Sequence, residues 1–71
     1  MKLTKTEFNI SALITAGFEV KEVARKVNRS IFTVQTHVKN IRKKNKLKNL
    51  AEISREFTLN HGDPTTYISS C

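Results

Sequence analysis

Hydrophobic residues follow helical spacing from the start of this chain. Thr4 and Glu7 have the spacing of a capping box, in which each side chain accepts a hydrogen bond from the backbone amide of the other. Gly17 is the natural residue for a left-handed helix end. We therefore predict a first helix that begins at Thr4, ends at Gly17 and has an apolar stripe of Phe8, Ile10, Leu13 and Ile14.

Two more helices are predicted over the next thirty or so residues. Apolar residues repeat at i, i+3, i+4 and i+7 from Val20 to Val27, which indicates a short second helix of about eight residues. Ser30 is a favourable N-cap for a third helix of roughly fourteen residues, running from Ile31 toward Asn45. Its predicted buried stripe is Ile31, Val34, Val38 and Ile41.

A fourth helix and a tail complete the predicted order. Asn49 and Glu52 form another cap pair, and the helix that follows is expected to end near His61 and Gly62. Residues 63–66 have the composition of a turn leading into a mobile tail. We expect an all-α domain of four helices over residues 1–60 and a flexible C-terminal tail over residues 61–71.

Positive charge is concentrated in the middle of the chain. The formal net charge is +7, and ten of the thirteen Lys and Arg residues lie within residues 21–48, against one acid. Such a segment favours a polyanionic partner, either nucleic acid or an anionic membrane surface. No apolar run is long enough for a transmembrane span or a signal peptide, so we expect a soluble, cytoplasmic protein.

The polar side of the third helix has chemistry suited to DNA. A short helix, a tight turn and a longer helix form a helix-turn-helix candidate, whose second helix would enter a major groove about 12 Å wide. Gln35 can bond an adenine edge and Lys39 can donate to guanine. Phe32 has two interpretations, contact with a thymine methyl group or packing beside the second helix as additional core. The exposed arc is predicted to contain Phe32, Gln35, Thr36, Lys39 and Lys43.

Other chemistries have no suitable residues. No nucleophile, base and acid arrangement is recognisable, so we predict no catalytic residue, no enzyme activity and no cofactor. His61, Asp63 and Cys71 do not have the spacing of a common metal site, and no metal is expected. We interpret His37 as a packed residue at the edge of the buried stripe.

Several segments resemble one family. KEVA at residues 21–24 and TVQTHVKNI at residues 33–41, at this mutual spacing, resemble the DNA-binding domain of LuxR/FixJ-type transcription regulators, and KLK at residues 46–48 is similar to its NarL-type version. The resemblance covers about residues 3–57 and includes Leu3, Thr4, Glu7, Leu13, Gly17 and Ser30. Departures from the family pattern occur at Ser11, Glu19, Phe32 and Asn45–Lys46. We expect Asn45 to adopt the left-handed conformation for which the family uses Gly.

The resemblance implies a four-helix bundle that binds double-stranded DNA. The second and third helices would form the helix-turn-helix, and the fourth would form a homodimer, at least on DNA; RNA polymerase is a further candidate partner. Implied base contacts are Gln35, Thr36 and Lys39, to which the helical pattern adds Phe32. Implied phosphate contacts are Lys21, Ser30, Thr33, Lys43 and Lys48. The implied dimer interface consists of Leu50, Ile53 and Phe57, which are core residues in the alternative interpretation.

The resulting hypothesis is a sequence-specific, double-stranded DNA-binding transcription regulator that uses the helix around residues 31–44. The chain could be a stand-alone regulator or part of a longer one. One alternative is a truncated LuxR-type interaction protein that pairs with a full-length regulator and modulates it; the DNA-contacting residue types argue against this. A second is a membrane-surface peptide, which is disfavoured because the apolar stripe of the basic helix is narrow and the other helices need it as a partner.

Overall fold

The structure, a computed structural model, describes residues 1–68, and these contain four α-helices and no strand. A single 3-10 turn, Pro64–Thr66, follows the last helix. The predicted all-α fold is confirmed. The helices are α1 (Lys5–Thr15), α2 (Val20–Lys26), α3 (Ile31–Asn45) and α4 (Leu50–His61).

Local capping residues set most helix boundaries. Both bonds of the capping box at α1 are present, with Thr4 Oγ1 3.2 Å from the Glu7 amide and Glu7 Oε1 3.0 Å from the Thr4 amide. Gly17 follows α1 with a φ of 104°, a conformation that costs glycine little. The Ser30 and Asn49 side chains accept from the third amide of α3 and α4, as predicted.

The core lies where α1 packs against α3 and α4, and α2 packs against α3. Five consecutive residues of α1, from Ile10 to Ile14, are buried, so the second half of this helix is covered on nearly all sides. Ser11, a departure from the family pattern, is among them. The largest completely buried apolar side chains are Ile10, Val23, Val34, Ile41, Ile53 and Phe57.

One residue of the predicted α3 stripe is not in the core. Val34, Val38 and Ile41 are buried, but Ile31 is 48% exposed. Helical periodicity gives the direction of a side chain, whereas burial also requires a neighbouring helix to extend that far. Ile31 is the first residue of α3, and its surroundings at that helix end leave it half open to solvent.

The turn between α3 and α4 corrects the prediction for Asn45. The left-handed residue is Lys46, with φ 56° and ψ 46°, and Asn45 is the last residue of the helix. The Asn45 side chain pairs with the backbone of Lys2, accepting from its amide at 2.7 Å and donating to its carbonyl at 3.0 Å. These long-range bonds fix the first residues of the chain beside the end of α3.

Residues 61–68, where we expected the start of a flexible tail, contact the rest of the domain. The Tyr67 ring lies against Phe8 and Phe57, with centroid distances of 5.0 and 5.9 Å, and its hydroxyl donates to the His61 carbonyl at 2.9 Å. Ile68 packs against the core. Contacts between residues distant in sequence thus involve the first part of the segment expected to be flexible; residues 69–71 lie outside the described part.

Among residues 1–68, no helix combines the length and hydrophobicity needed to cross a membrane.

Candidate nucleic-acid interface

The two sides of α3 differ sharply in composition and exposure. Val34, Val38 and Ile41 point into the core, while the side chains on the opposite side are exposed. These exposed residues are the ones predicted from the helical wheel: Phe32, Gln35, Thr36, Lys39 and Lys43. The structure therefore brings together the amide, hydroxyl and ammonium groups that a base-contacting helix requires.

Thr36 has a restricted hydrogen-bonding role. Its hydroxyl donates to the Phe32 carbonyl at 3.1 Å, within the helix. The hydroxyl proton is thereby occupied, while the oxygen can still accept and the methyl group remains available for apolar contact. Thr36 is thus suited to a donor on a base edge or to a thymine methyl group.

Phe32 is not part of the core. Its side chain is 77% exposed, which excludes the alternative in which it folds back beside α2. An aromatic ring held in water near the start of α3 has no role in the packing of this chain. Its position on the same side as Gln35 and Thr36 is consistent with contact to a partner.

Exposed cations flank this face of α3. Lys43 and Lys48 form no ion pair with any residue from 1 to 68. Lys21 lies 3.7 Å from the Glu19 carboxylate, and both side chains are largely exposed. An exposed pair of this kind is weak, so Lys21 can exchange Glu19 for a phosphate at little cost.

The N-terminus of α3 is a second anion-favouring feature. The Ser30 hydroxyl caps the helix by accepting from the Thr33 amide at 3.1 Å, and the two hydroxyl oxygens lie 2.9 Å apart. The first amides of a helix have no acceptor within it, and the helix dipole favours negative charge at this end. Ser30 and Thr33 therefore stand where a phosphate is electrostatically favoured.

Two other cations near the end of α3, Arg42 and Lys44, form contacts within the domain. The Arg42 guanidinium donates to the Lys48 carbonyl and closes the α3–α4 turn. Lys44 Nζ lies 2.6 Å from Glu7 Oε1, which joins α3 to the start of α1. The Glu7–Lys44 pair spans 37 positions, and no local pattern indicates it.

Glu7 is a buried carboxylate that remains ionised. Burial alone would raise the pKa of its carboxyl, but the hydrogen bonds from Lys44 and the Thr4 amide, with the positive charge of Lys44, outweigh that effect. The pKa of Glu7 is therefore lower than its ordinary value. Since the side chain is only 6% exposed, this carboxylate is a fixed internal part of the domain.

The apolar residues of α4 divide into two groups. Ile53 and Phe57 are completely buried within the chain, so they belong to the core and have no surface to offer a second protomer. Leu50 is 40% exposed. The side of α4 that faces solvent contains Ala51, Arg55, Thr58 and Leu59.

Candidate ligands for a metal do not converge. Among residues 1–68, no three His, Cys, Asp or Glu side chains are grouped as a metal site would require. His61 lies in the aromatic cluster with its ring centroid 4.9 Å from that of Phe57, and Cys71 is outside the described residues. His37 is half-buried at the edge of the α3 stripe, where it was expected.

Comparison with known proteins agrees with this geometry. Residues 1–57 match the family model described as bacterial regulatory proteins, luxR family. The chain belongs to the luxR family. Domains of this family are helix-turn-helix DNA-binding transcription regulators. No curated protein and no solved structure matched the chain.

Proposed function

We propose that this luxR-family protein is a sequence-specific transcription regulator that places α3 in the major groove of double-stranded DNA. The observation that supports this most directly is the exposed side of α3, where Gln35, Thr36 and Lys39 project together away from the buried stripe. The diameter of an α-helix such as α3 fits the width of the major groove, about 12 Å.

Each side chain on this face has a base for which it is suited. Gln35 can form two hydrogen bonds with adenine, and Lys39 can donate to O6 and N7 of guanine. Thr36 accepts from an exocyclic amine or touches a methyl group, because its own proton is bonded to Phe32. Phe32 is proposed to contact a thymine methyl group.

Phosphates are proposed to flank this base-contacting face. Lys21 lies at the start of α2, Lys43 near the end of α3 and Lys48 in the turn before α4, so cations lie to both sides of the face. Ser30 and Thr33 complete the set at the N-terminus of α3. Contacts of this kind fix the register of a protein on the duplex without reading its sequence.

We further propose a dimer through α4, at least on DNA. Since Ile53 and Phe57 are buried, the contact would use the solvent-facing side of α4, around Ala51, Arg55 and Leu59. A two-fold dimer places its recognition helices roughly 34 Å apart and requires an inverted repeat with half-site centres about ten base pairs apart.

Selection of bound sites from random duplex DNA tests the proposal. We expect one recurrent motif, arranged as an inverted repeat if the dimer forms. The Gln35→Ala, Lys39→Ala double variant is the matched control, since both positions are exposed and its fold should be unchanged. Recovery of no motif from the wild-type protein, or of the same motif by the control, would contradict sequence-specific contact through α3.

Sedimentation measurements test the dimer separately. Two protomers should bind a palindromic duplex at saturating protein, even where self-association without DNA is weak. A single protomer per palindrome would exclude the dimer and leave α4 with a structural role.

A further inference from the structure

A groove of about 650 Å³ lies beside the base-contacting face of α3. One wall is formed by Gln35, Lys39 and Lys43, which follow one another at intervals of four residues along the helix. An apolar wall is formed by Leu47 and Leu50, from the α3–α4 turn and the first turn of α4. Leu50, expected at a dimer interface, therefore shares a groove with the DNA-facing residues.

The two walls differ in character. Lys39 and Lys43 are exposed cations, while Leu47 and Leu50 provide an apolar surface that the core does not fully cover. None of the described residues that line the groove is acidic. An occupant that suits both walls has regularly spaced negative charges with apolar groups between them.

The sugar–phosphate backbone of DNA has this alternation. The row of side chains from Gln35 to Lys43 begins at a proposed base contact and ends at a proposed phosphate contact. A DNA strand beside this row would therefore present base edges near Gln35 and its phosphates near Lys43. Continuity with that face and the positive charge of the wall both favour a nucleic-acid strand over a protein segment.

We propose that this groove holds the backbone of one DNA strand, with phosphates beside Lys43 and deoxyribose carbons against Leu47 and Leu50. This inference rests on the proposed function and adds to it an apolar contact that fixes the tilt of α3. It also assigns Leu50 to the DNA side of α4, about 180° around the helix from Leu59.

A pair of charge substitutions on α4 tests the assignment. Leu50→Glu and Leu59→Glu remove the same side chain and add the same charge, and Leu59 is exposed and outside the groove. Affinity is measured for a duplex of about ten base pairs, which has room for one protomer, so dimerisation does not contribute. Thermal unfolding shows whether each variant folds; a glutamate at the first position of a helix is favoured by the helix dipole.

We expect Leu50→Glu to lower the affinity for this duplex at least about tenfold, because it would face phosphates directly, and Leu59→Glu to lower it less than about threefold. Leu50→Lys should raise the affinity more than Leu59→Lys, and steepen the dependence of log K on log salt by about 0.9. If a glutamate variant fails to fold, the comparison of Leu50→Lys with Leu59→Lys tests the assignment instead.

Other results would overturn the assignment. Equal effects at positions 50 and 59 would show that only net charge matters. A Leu50→Ala variant with unchanged affinity but altered sedimentation would place Leu50 in a protein interface. Failure of the wild-type protein to bind any duplex would contradict the proposed function as well, whereas wild-type binding with no position dependence would contradict this inference alone.

Discussion

Lys39 and Lys43 lie one turn apart on the exposed side of α3, and their proposed partners differ. Lys39→Ala should cost about 1–3 kcal/mol on the preferred site and reduce discrimination at one base pair, because a base contact is lost. Lys43→Ala should weaken preferred and random duplexes by a similar factor, because a phosphate contact is independent of sequence. Titrations of both variants on both duplexes measure this. Equal losses on the two duplexes for both variants would contradict the assignment.

Phe32 and Phe57 allow a matched comparison of an exposed and a buried ring. Phe32→Ala should leave the melting temperature almost unchanged and weaken only sites that contain the contacted thymine, since the side chain is 77% exposed. Phe57→Ala should lose about 3–5 kcal/mol of stability, because this ring is completely buried. Thermal unfolding of both variants measures the change in stability. Titration of Phe32→Ala with duplexes that have thymine or uracil at the contacted position measures the contribution of the methyl group to affinity. A large drop in melting temperature for Phe32→Ala would refute its assignment as a surface contact.

At the level of elements, the α3–α4 turn contains a removable strain. Lys46 has a φ of 56°, which is unfavourable for a residue with a Cβ atom. Lys46→Gly should stabilise the protein by about 0.5–1 kcal/mol, after allowance for the greater freedom of glycine in the unfolded chain. Lys43→Gly, inside α3 just before this turn, should instead destabilise by about 1 kcal/mol. Urea unfolding of both variants measures whether the free energy of unfolding rises or falls. A loss of stability in Lys46→Gly would show that the lysine side chain stabilises the turn.

The junction of α1 and α3 depends on pH through Glu7. Because the pKa of this carboxyl is lowered in the folded state, its contribution is complete above the ordinary pKa of the unfolded chain and is lost as the pH falls through the folded-state value. Glu7→Gln should lose about 1–2 kcal/mol at pH 7, less than a fully buried pair because Lys44 is 39% exposed. It should also show a smaller decline in stability toward acid. Unfolding at several pH values measures both effects.

The control for this prediction is Glu19→Gln, the same substitution in the exposed pair with Lys21. It should change stability little at pH 7, because both side chains of this pair are largely exposed. Equal behaviour of the two variants would mean that the Glu7–Lys44 contact does not stabilise the fold.

Helices were predictable here because their determinants are local. Capping pairs at Thr4, Ser30 and Asn49, together with apolar spacing, placed the starts of three helices correctly. Contacts between distant residues were not predictable in this way: Asn45 bonds to Lys2, and Tyr67 packs on Phe8. Such contacts depend on how the helices are arranged, which spacing along one helix does not specify.

The candidate site was predictable to the same extent. The helical wheel gave the exposed face of α3, including Lys43, but it did not indicate that Lys44 pairs with Glu7. The spacing along α4 likewise assigned Leu50 and Ile53 to one apolar side, whereas only Ile53 of these two is fully buried. Distinguishing them requires knowledge of which neighbouring helix covers each position.

For the whole molecule, the excess of positive charge predicts strongly salt-dependent binding. If about five phosphates are neutralised per domain, the slope of log K against log salt should be about −4.5. Lys43→Gln should reduce its magnitude by about 0.9, while Lys44→Gln should leave it unchanged, because Lys44 is already paired with Glu7. Affinity measured across a salt series tests this. A slope near zero would exclude phosphate contacts as the source of affinity.

The cluster of Phe8, Phe57, His61 and Tyr67 bears on where the protein can be shortened. The family match ends at residue 57 and the predicted domain boundary is residue 60, yet Tyr67 and Ile68 still pack onto α1 and the core. Trimming the chain at residue 60 would turn the faces of Phe8 and Phe57 toward water. An exposed apolar patch of this kind promotes association between protein molecules. A shortened version would therefore associate through this artificial patch, and its sedimentation would imitate the dimer proposed for the solvent-facing side of α4.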